Sequence, residues 1–322
     1  MCNKERYKAL CEKEKTIPIF SQFWWLDAVC GEDNWDVVLL EKGGEVVASF
    51  PYYIEKKYSF KMITMPKLTQ KMGIWIKYPP GQTLHSKLSF EKEIFTELIE
   101  KLSAFDIFRQ NFNYSITNWL PFYWKGFEQT TKYTYVIEDL SNLDEVYNSF
   151  RSNIKTDIKK ALKITKTYCE NNISKFYEIN KKTFARQKLD MPYSLKFLDH
   201  LDSCLDKREC RKIFFAEDEK GNIHCGLYLI WDSESAYYLM GGGDPLWRNS
   251  GATSLLMWEA IKFSQSVTKR FDLEGSMLEP VERFFRAFGG SQKQYFHIYS
   301  NSKKARLFIS FKDIVKIFFG VI

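Results

Sequence analysis

Tyr237-Tyr238-Leu239-Met240-Gly241-Gly242-Gly243-Asp244-Pro245-Leu246-Trp247-Arg248-Asn249-Ser250-Gly251-Ala252-Thr253-Ser254-Leu255-Leu256-Met257-Trp258 is the stretch whose reading decides the fold. It reads as a strand that runs into a glycine-bearing loop and then into an amphipathic helix. The small residues Ser250 to Thr253 open that helix, where backbone N–H groups have no intrahelical partner. Such a terminus suits a phosphate or pyrophosphate, and small side chains let the ligand approach the backbone. Gly242, Gly243, Asp244, Arg248, Ser250, Gly251, Ala252 and Thr253 are candidate residues for holding such a phosphate group. Trp247, beside them, is a candidate stacking platform for a sugar. A capped helix without a ligand has the same pattern.

Downstream, Arg270-Phe271-Asp272-Leu273-Glu274-Gly275-Ser276 reads as a short strand with two carboxylates. Side chains alternate along a strand, so Asp272 and Glu274 are expected on one face. A central α/β strand tends to be buried on both faces, and a buried carboxylate needs a partner or a task. Arg283 and Arg286, three apart on an expected helix from Val281 to Phe288, are available as partners.

Working upstream, Ile213–Glu217 and Ile223–Ile230 flank a Lys220-Gly221-Asn222 turn, and a similar pattern occupies Trp35 to Ile54 around Lys42-Gly43-Gly44. Both are hairpin signals. Glu41-Lys42-Gly43 overlays Glu219-Lys220-Gly221, and at the same offset Ala48 overlays Gly226. Aromatic-rich helical stretches precede each hairpin, Gln22 to Val29 and Ile173 to Leu205. The expectation is two copies of one α/β unit, an N-terminal domain over residues 1–140 and a C-terminal domain over residues 141–322 that carries the carrier site. Each is expected to hold a mixed central sheet flanked by helices.

Between the copies lies a helical pattern in which Arg151, Lys155, Lys159 and Lys163 recur every four residues and Ile154, Ile158, Ala161 and Leu162 fall opposite. Like charges at that spacing repel by a few tenths of a kcal/mol per pair. That favours a phosphate-bearing partner over a plain solvated face, and Arg151, Lys155 and Lys159 are named as phosphate-binding candidates, with Asp272 as a substrate-side carboxylate.

Composition agrees with an ordinary globular chain. At 322 residues it has the length of about two domains. Its 45% hydrophobic and 27% charged content excludes disordered, collagenous and disulfide-scaffold classes. A net charge of +7 suits anionic ligands or a membrane face and is too small to indicate nucleic-acid binding by itself. Seven cysteines without a C-x-x-C read as reduced thiols of a cytoplasmic protein. The charged N-terminus lacks the apolar core of a signal peptide. The four scattered histidines make no nucleophile or metal pattern, so no metal is expected.

The order of parts resembles the GNAT superfamily (Gcn5-related N-acetyltransferases), whose pyrophosphate loop is usually R/Q-x-x-G-x-G/A. Here Arg248-x-x-Gly251-x-Thr253 stands in its place. The ending, Phe271-Asp272-Leu273-Glu274-Gly275-Ser276 followed by Arg283-Phe284-Phe285-Arg286-Ala287-Phe288-Gly289-Gly290, resembles the tail of the Fem-type aminoacyltransferases and of related double-GNAT acyltransferases of envelope-polysaccharide pathways. Arg151 to Lys163 resembles the basic element before their second copy, and Phe20 to Leu26 their opening. Where that family's tail carries Lys, this chain has Phe285, and Arg286 follows.

The resemblance implies tandem GNAT-like domains and N-acyl transfer from acyl-CoA, acetyl-CoA above all, to an amine on a cell-envelope glycan or glycan precursor. It makes Glu274 the base or acceptor-orienting group and Arg286 the charge for the acyl oxygen or a phosphate, both as catalytic residues. Aminoacyl-tRNA as donor to a peptidoglycan precursor is the first alternative, with tRNA as partner. A non-catalytic binding protein for a nucleotide-sugar or lipid-linked glycan is the second. A basic amphipathic pattern over Lys303 to Phe319 adds an expected peripheral contact with the inner membrane face.

Overall fold

A computed structural model describes residues 2–57 and 59–308. The chain separates into two compact units, Met1–Lys132 with the chain from Tyr295 onward, and Tyr133–Gln294. The sequence-based division at residue 140 leaves the last strand, Ser291–Asn301, with the second unit, whereas spatial proximity divides that strand between the two units at Tyr295.

The first stretch of chain forms α1 (Asn3–Lys13), α2 (Phe23–Cys30), β1 (Trp35–Lys42), β2 (Glu45–Lys57), β3 (Phe60–Thr64), β4 (Trp75–Ile76), α3 (Leu84–Glu100), β5 (Ile107–Asn111) and α4 (Leu120–Trp124). Then come β6 (Glu128–Ile137), α5 (Leu143–Ser149), α6 (Ser152–Ala161), β7 (Lys166–Cys169), α7 (Ile173–Arg186), α8 (Leu195–Asp206), β8 (Arg211–Glu217), β9 (Ile223–Trp231) and β10 (Ser235–Gly243). The chain continues through α9 (Ala252–Ser264), β11 (Arg270–Asp272), α10 (Glu279–Arg286) and β12 (Ser291–Asn301).

In the first unit the strand order is β1-β2-β3-β5-β12, with β4 beside β2. Among the described residues only β3 and β5 run parallel there; the other pairs are antiparallel. In the second unit the order is β7-β8-β9-β10-β11-β6, and only β10 and β11 are parallel. The same succession thus occurs twice: a hairpin, a third antiparallel strand, a helical crossover through α3 or α9, and a parallel fourth strand. A parallel pair requires such a crossover because a tight turn cannot reverse the chain twice. The expected mixed α/β architecture of repeated units is observed.

Local sequence explains the pieces. Gly43 (φ 60°) and Gly44 (φ 83°) make the two-residue turn between β1 and β2, a pair of left-handed positions that suits the twist of a hairpin. Leu40 pairs with Ala48, and Phe215 with Gly226, so the two overlaid small residues occupy the return strands of corresponding hairpins. Gly226 lets α7 lie close: a Cβ there would stand 3.1 Å from Ile179 and 3.2 Å from Phe176.

The single helical stretch expected over Ile173 to Leu205 is two helices. Lys188 takes a left-handed conformation (φ 57°) just after α7, and Pro192 follows, so the helix stops and restarts at α8. Leu162, expected on the apolar face of α6, is the residue after the helix and is exposed. Residues 303–308 are helical, and the rest of the amphipathic pattern expected to Phe319 lies outside the described residues.

Each unit has its own core. In the first, Ile94, Phe95 and Leu98 of α3 pack on Phe50, Phe108 and Phe112, while Tyr7 and Leu26 cover Val37 and Leu39 on the other face. In the second, Leu255 and Leu256 of α9 meet Leu227, Leu229 and Phe271. The opposite face of that sheet holds a buried ion cluster: Arg211 Nε lies 2.8 Å from Asp202 Oδ1, its Nη2 lies 2.9 Å from Asp206 Oδ1, and Tyr228 Oη donates to Asp202 at 2.5 Å. Desolvation and the neighbouring Asp202 carboxylate push the Tyr228 hydroxyl well above its ordinary pKa. Arg211 and Asp202 are both about 8% exposed. Asp202→Ala is expected to lower unfolding free energy by about 3 kcal/mol, the low end for breaking a buried pair, because Asp206 remains. A denaturant midpoint unchanged from that of the parent protein would assign the cluster no such role.

Candidate functional site

The site predicted from sequence belongs to the second unit and is built where β10 and β11 part. The two strands pair only over Ser235–Tyr237 and Arg270–Asp272. Beyond Tyr237, β10 continues alone on that side and carries a bulge on its β9 side between Tyr238 and Met240. Gly241–Gly243, expected as a loop, are the end of this strand. α7 lies on the middle one: a Cβ on Gly242 would stand 2.4 Å from Asn180 Cα and 2.6 Å from its nitrogen, whereas a Cβ on Gly241 would meet the Tyr238 ring.

Polar side chains of α7 occupy the strand end. Asn180 Nδ2 donates to Gly241 O at 2.7 Å and Gly243 N donates to Thr183 Oγ1 at 2.9 Å. Tyr193 Oη donates to Asn180 Oδ1 at 2.8 Å, and Lys182 pairs with Asp244 at 2.5 Å. Lys182 and a backbone N–H hold the Asp244 carboxyl below its usual range against the opposing effect of burial.

The start of α9 is equally close-packed. Gly251, with φ 79°, is its N-cap, and a Cβ there would stand 2.3 Å from Asp157 O of α6. Ala252 N donates to Ser250 Oγ at 3.3 Å, and Ser254 Oγ donates to Asp157 Oδ2 at 3.4 Å. Lys160 Nζ donates to Asn249 O at 2.5 Å. The helix terminus expected to receive a pyrophosphate therefore has the α6 backbone on its first residue and a carboxylate beside its first turn. Arg248 and Thr253 remain exposed. Trp247 stacks on His224, with ring centroids 4.4 Å apart and planes within 7°. His224 is buried, with Nε2 3.4 Å from Asp218 Oδ2.

The two carboxylates are brought together in an unexpected way. The strand ends at Asp272, and Glu274 lies in the turn beyond it with φ 60°, followed by Gly275 at φ 41°. Asp272 Oδ1 accepts from Thr134 Oγ1 at 2.6 Å and from Glu274 N at 2.8 Å. The carboxylate so shapes a left-handed turn that would cost a non-glycine residue about 1–3 kcal/mol, a form of strain that collects at functional sites. Gly275 is required because a Cβ would stand 2.4 Å from Thr134 Cα. Glu274 itself is 8% exposed.

Arg286 is not brought to this turn. It is largely exposed and its Nε lies 3.2 Å from Glu282 Oε1, one helical turn back. Arg283 is also exposed. Glu282 accepts from Tyr135 Oη, which in turn accepts from Gln292 Nε2 at 2.9 Å. Phe285, at the place of the family lysine, is buried 5.6 Å from the Tyr238 ring.

On α6, Ile154, Ile158 and Ala161 are buried, while Arg151, Lys159 and Lys163 are exposed without an ion pair among the described residues. Lys155 leans back, donating to Asn148 O at 2.8 Å. No group of three or more His, Cys, Asp and Glu is placed to hold a metal among the described residues, nor is any helix there long and apolar enough to cross a membrane. A cavity of about 490 Å³ lies in the first unit, lined by Lys71, Trp75 and Ile116 among others, and none of the sequence-predicted residues lines it.

Residues 148–275 match the family described as acetyltransferase (GNAT) domain. That segment is 128 of the 322 residues. It contains the parted strands, the α9 start and the Glu274 turn. Among solved structures, FemX is similar at a TM-score of 0.67, with 13% identity over 92% of this chain and 96% of that one. A DUF2156 domain from Agrobacterium fabrum, titled as the C-terminal domain of a candidate lysylphosphatidylglycerol synthetase, is similar at 0.57, with 10% identity over 98% and 97%. A tandem GNAT protein from the clavulanic acid biosynthesis pathway is similar at 0.51, with 10% identity over 91% and 92%. At these identities the likeness is one of fold alone. A search of curated proteins gave no match.

Sequence reasoning missed Asn180, Thr183, Asp157 and His224. A signal existed for two of them: Asn180 falls on the apolar line of α7 with Ile173, Phe176 and Ile179, and His224 alternates with Gly226 and Tyr228 on the face toward α7. The close contact at Gly251 gives a direct test. Gly251→Ala should destabilise well beyond the roughly 1 kcal/mol of left-handed strain, because the α6 backbone blocks the methyl. Gly44→Ala, with open space around it, should cost only the strain. Equal melting shifts for the two variants would refute the packing of α6 on α9.

Proposed function

We propose that the protein is an N-acyltransferase that moves an acyl group from acyl-CoA to an amine on a cell-envelope glycan or glycan precursor. The observation that carries this reading is Glu274: a buried carboxylate, held in a left-handed turn by Asp272, where the strands of a GNAT domain separate. Glu274 takes the proton of the acceptor amine as its nitrogen attacks the acyl carbonyl. The new C–N bond forms, the bond to the carrier breaks, and the proton leaves with the carrier group. A base in reach of the amine typically contributes about 10²–10⁴ in rate.

The division of labour follows the two-domain reading, with residues 141–322 carrying the acyl-carrier site. Gly242 serves it by letting α7 seat on β10, Gly243 by donating its backbone N–H to Thr183 of α7, and Arg248 and Thr253 are the exposed members left to meet the carrier. Arg286 would act on a carrier phosphate at the surface. A lipid-linked acceptor would place the working protein at the inner membrane face.

A second donor, aminoacyl-tRNA, is favoured by one observation: the α9 start is covered by α6 and faces Asp157, while the exposed cations of α6 point to a larger polyanion. Counterion release makes such binding strongly salt-dependent.

Glu274→Gln should keep the fold while transfer falls by about 10²–10⁴; a stable and fully active variant would remove Glu274 from the mechanism. Lys159→Glu with Arg151→Glu should abolish a steep salt dependence of binding if charged tRNA is the donor. Little change with acetyl-CoA, together with saturable transfer from it, would instead support acyl-CoA.

A further inference from the structure

One sheet face of the first unit gathers cations that the acyl-transfer reading does not use. Arg109 and Asn111 stand on β5, opposite Tyr299 and His297 of β12. Asn111 Oδ1 accepts from His297 Nδ1 at 2.8 Å and from Lys132 Nζ at 3.3 Å. Asn111 Nδ2 donates to Gln70 O at 2.8 Å, which fixes the amide the right way round. The Arg109 guanidinium lies 5.4 Å from the Tyr299 ring centre, and that ring stacks on His297 at 5.8 Å. Arg109 also donates to Asn301 Oδ1 at 2.7 Å and to Ser300 O at 3.1 Å.

Arg109, Lys132 and His297 are half-buried, and among the described residues none of them makes an ion pair. The acidic group that acts on Arg109 is Glu128, itself 3.8 Å from Arg306. Burial lowers the pKa of Lys132 and of Arg109. Burial first, then Lys132 and Arg109, push His297 down to about 4. Lys132 and Arg109 are like charges held partly out of water with no carboxylate in direct contact, and an anion would relieve their repulsion.

We propose that this face of the first unit binds a phosphate- or pyrophosphate-bearing compound. Lys132 and Arg109 supply the fixed charge and their N–H donors. His297 has Nδ1–H committed to Asn111, so its Nε2 is the acceptor of the neutral ring and becomes a donor when an anion favours the imidazolium. Tyr299, between Arg109 and His297, holds both cationic groups apart from one another.

The full chain has four histidines, so ring signals in proton–carbon correlation spectra can be resolved, and His297→Gln assigns the relevant one. Inorganic pyrophosphate should raise the apparent pKa of His297 by about 1–3 units. Lys132→Gln and Arg109→Gln should each weaken the response roughly tenfold, the equivalent of one modest charged contact. Lys132→Arg should retain it, which separates loss of charge from loss of fold. An unmoved His297 at millimolar pyrophosphate overturns the proposal, as does a response of the same size in Lys132→Gln or with acetate. Vesicles containing phosphatidic acid form a second arm: a response to them and to pyrophosphate identifies the phosphate group itself as the recognised chemistry. A response to the vesicles alone overturns the binding of a free phosphate compound and leaves a lipid phosphate as its source.

Discussion

Backbone meeting backbone at two glycines is the constraint on which the second unit depends. Gly242 receives the chain of α7 at Asn180, and Gly251 receives the chain of α6 at Asp157. Neither approach leaves room for a Cβ. Once both helices are seated, Asn180 and Thr183 reach the end of β10, Lys182 reaches Asp244, and Lys160 reaches Asn249. The loop between β10 and α9 is thereby pinned from two directions. Arg248 in that loop and Thr253 in the first turn of α9 keep exposed side chains.

The reading of the sequence succeeded where periodicity and turn chemistry act locally. The hairpin at Gly43-Gly44, the α9 start after Gly251 and the amphipathic α6 all follow from short-range pattern. It went astray where distant backbone decides. Three successive glycines look like a loop, yet they form a strand end because a helix more than fifty residues upstream lies against them. Asp272 and Glu274 look like strand neighbours on one face, yet an Asp272 hydrogen bond turns the chain between them. The roles assigned to individual residues rest on family resemblance and on this geometry, and no pattern within one sequence could reveal that Asp157 stands at the α9 start.

Electrostatics divides the molecule into charges that are settled and charges that are not. Arg211 has two carboxylates and a tyrosine hydroxyl around it. The Lys182–Asp244 pair is likewise complete. The exposed cations of α6 and the half-buried cations around Asn111 have no such partners among the described residues. A mild overall charge of +7 therefore conceals concentrated positive regions in both units. Summed potential of that kind draws anions to a surface before any specific contact forms.

The closing strand of the first unit has a consequence for synthesis. β5 pairs with β12, and Asn111 meets His297 across 186 residues of chain. A nascent chain that has finished β5 must wait for the whole second unit to leave the ribosome before that edge is covered. Domain-by-domain folding from the N-terminus, the usual order during translation, is closed to this protein. Its first unit matures last, and an unpaired strand edge is exposed for most of translation, when chaperone capture or mispairing with another chain competes with the native register.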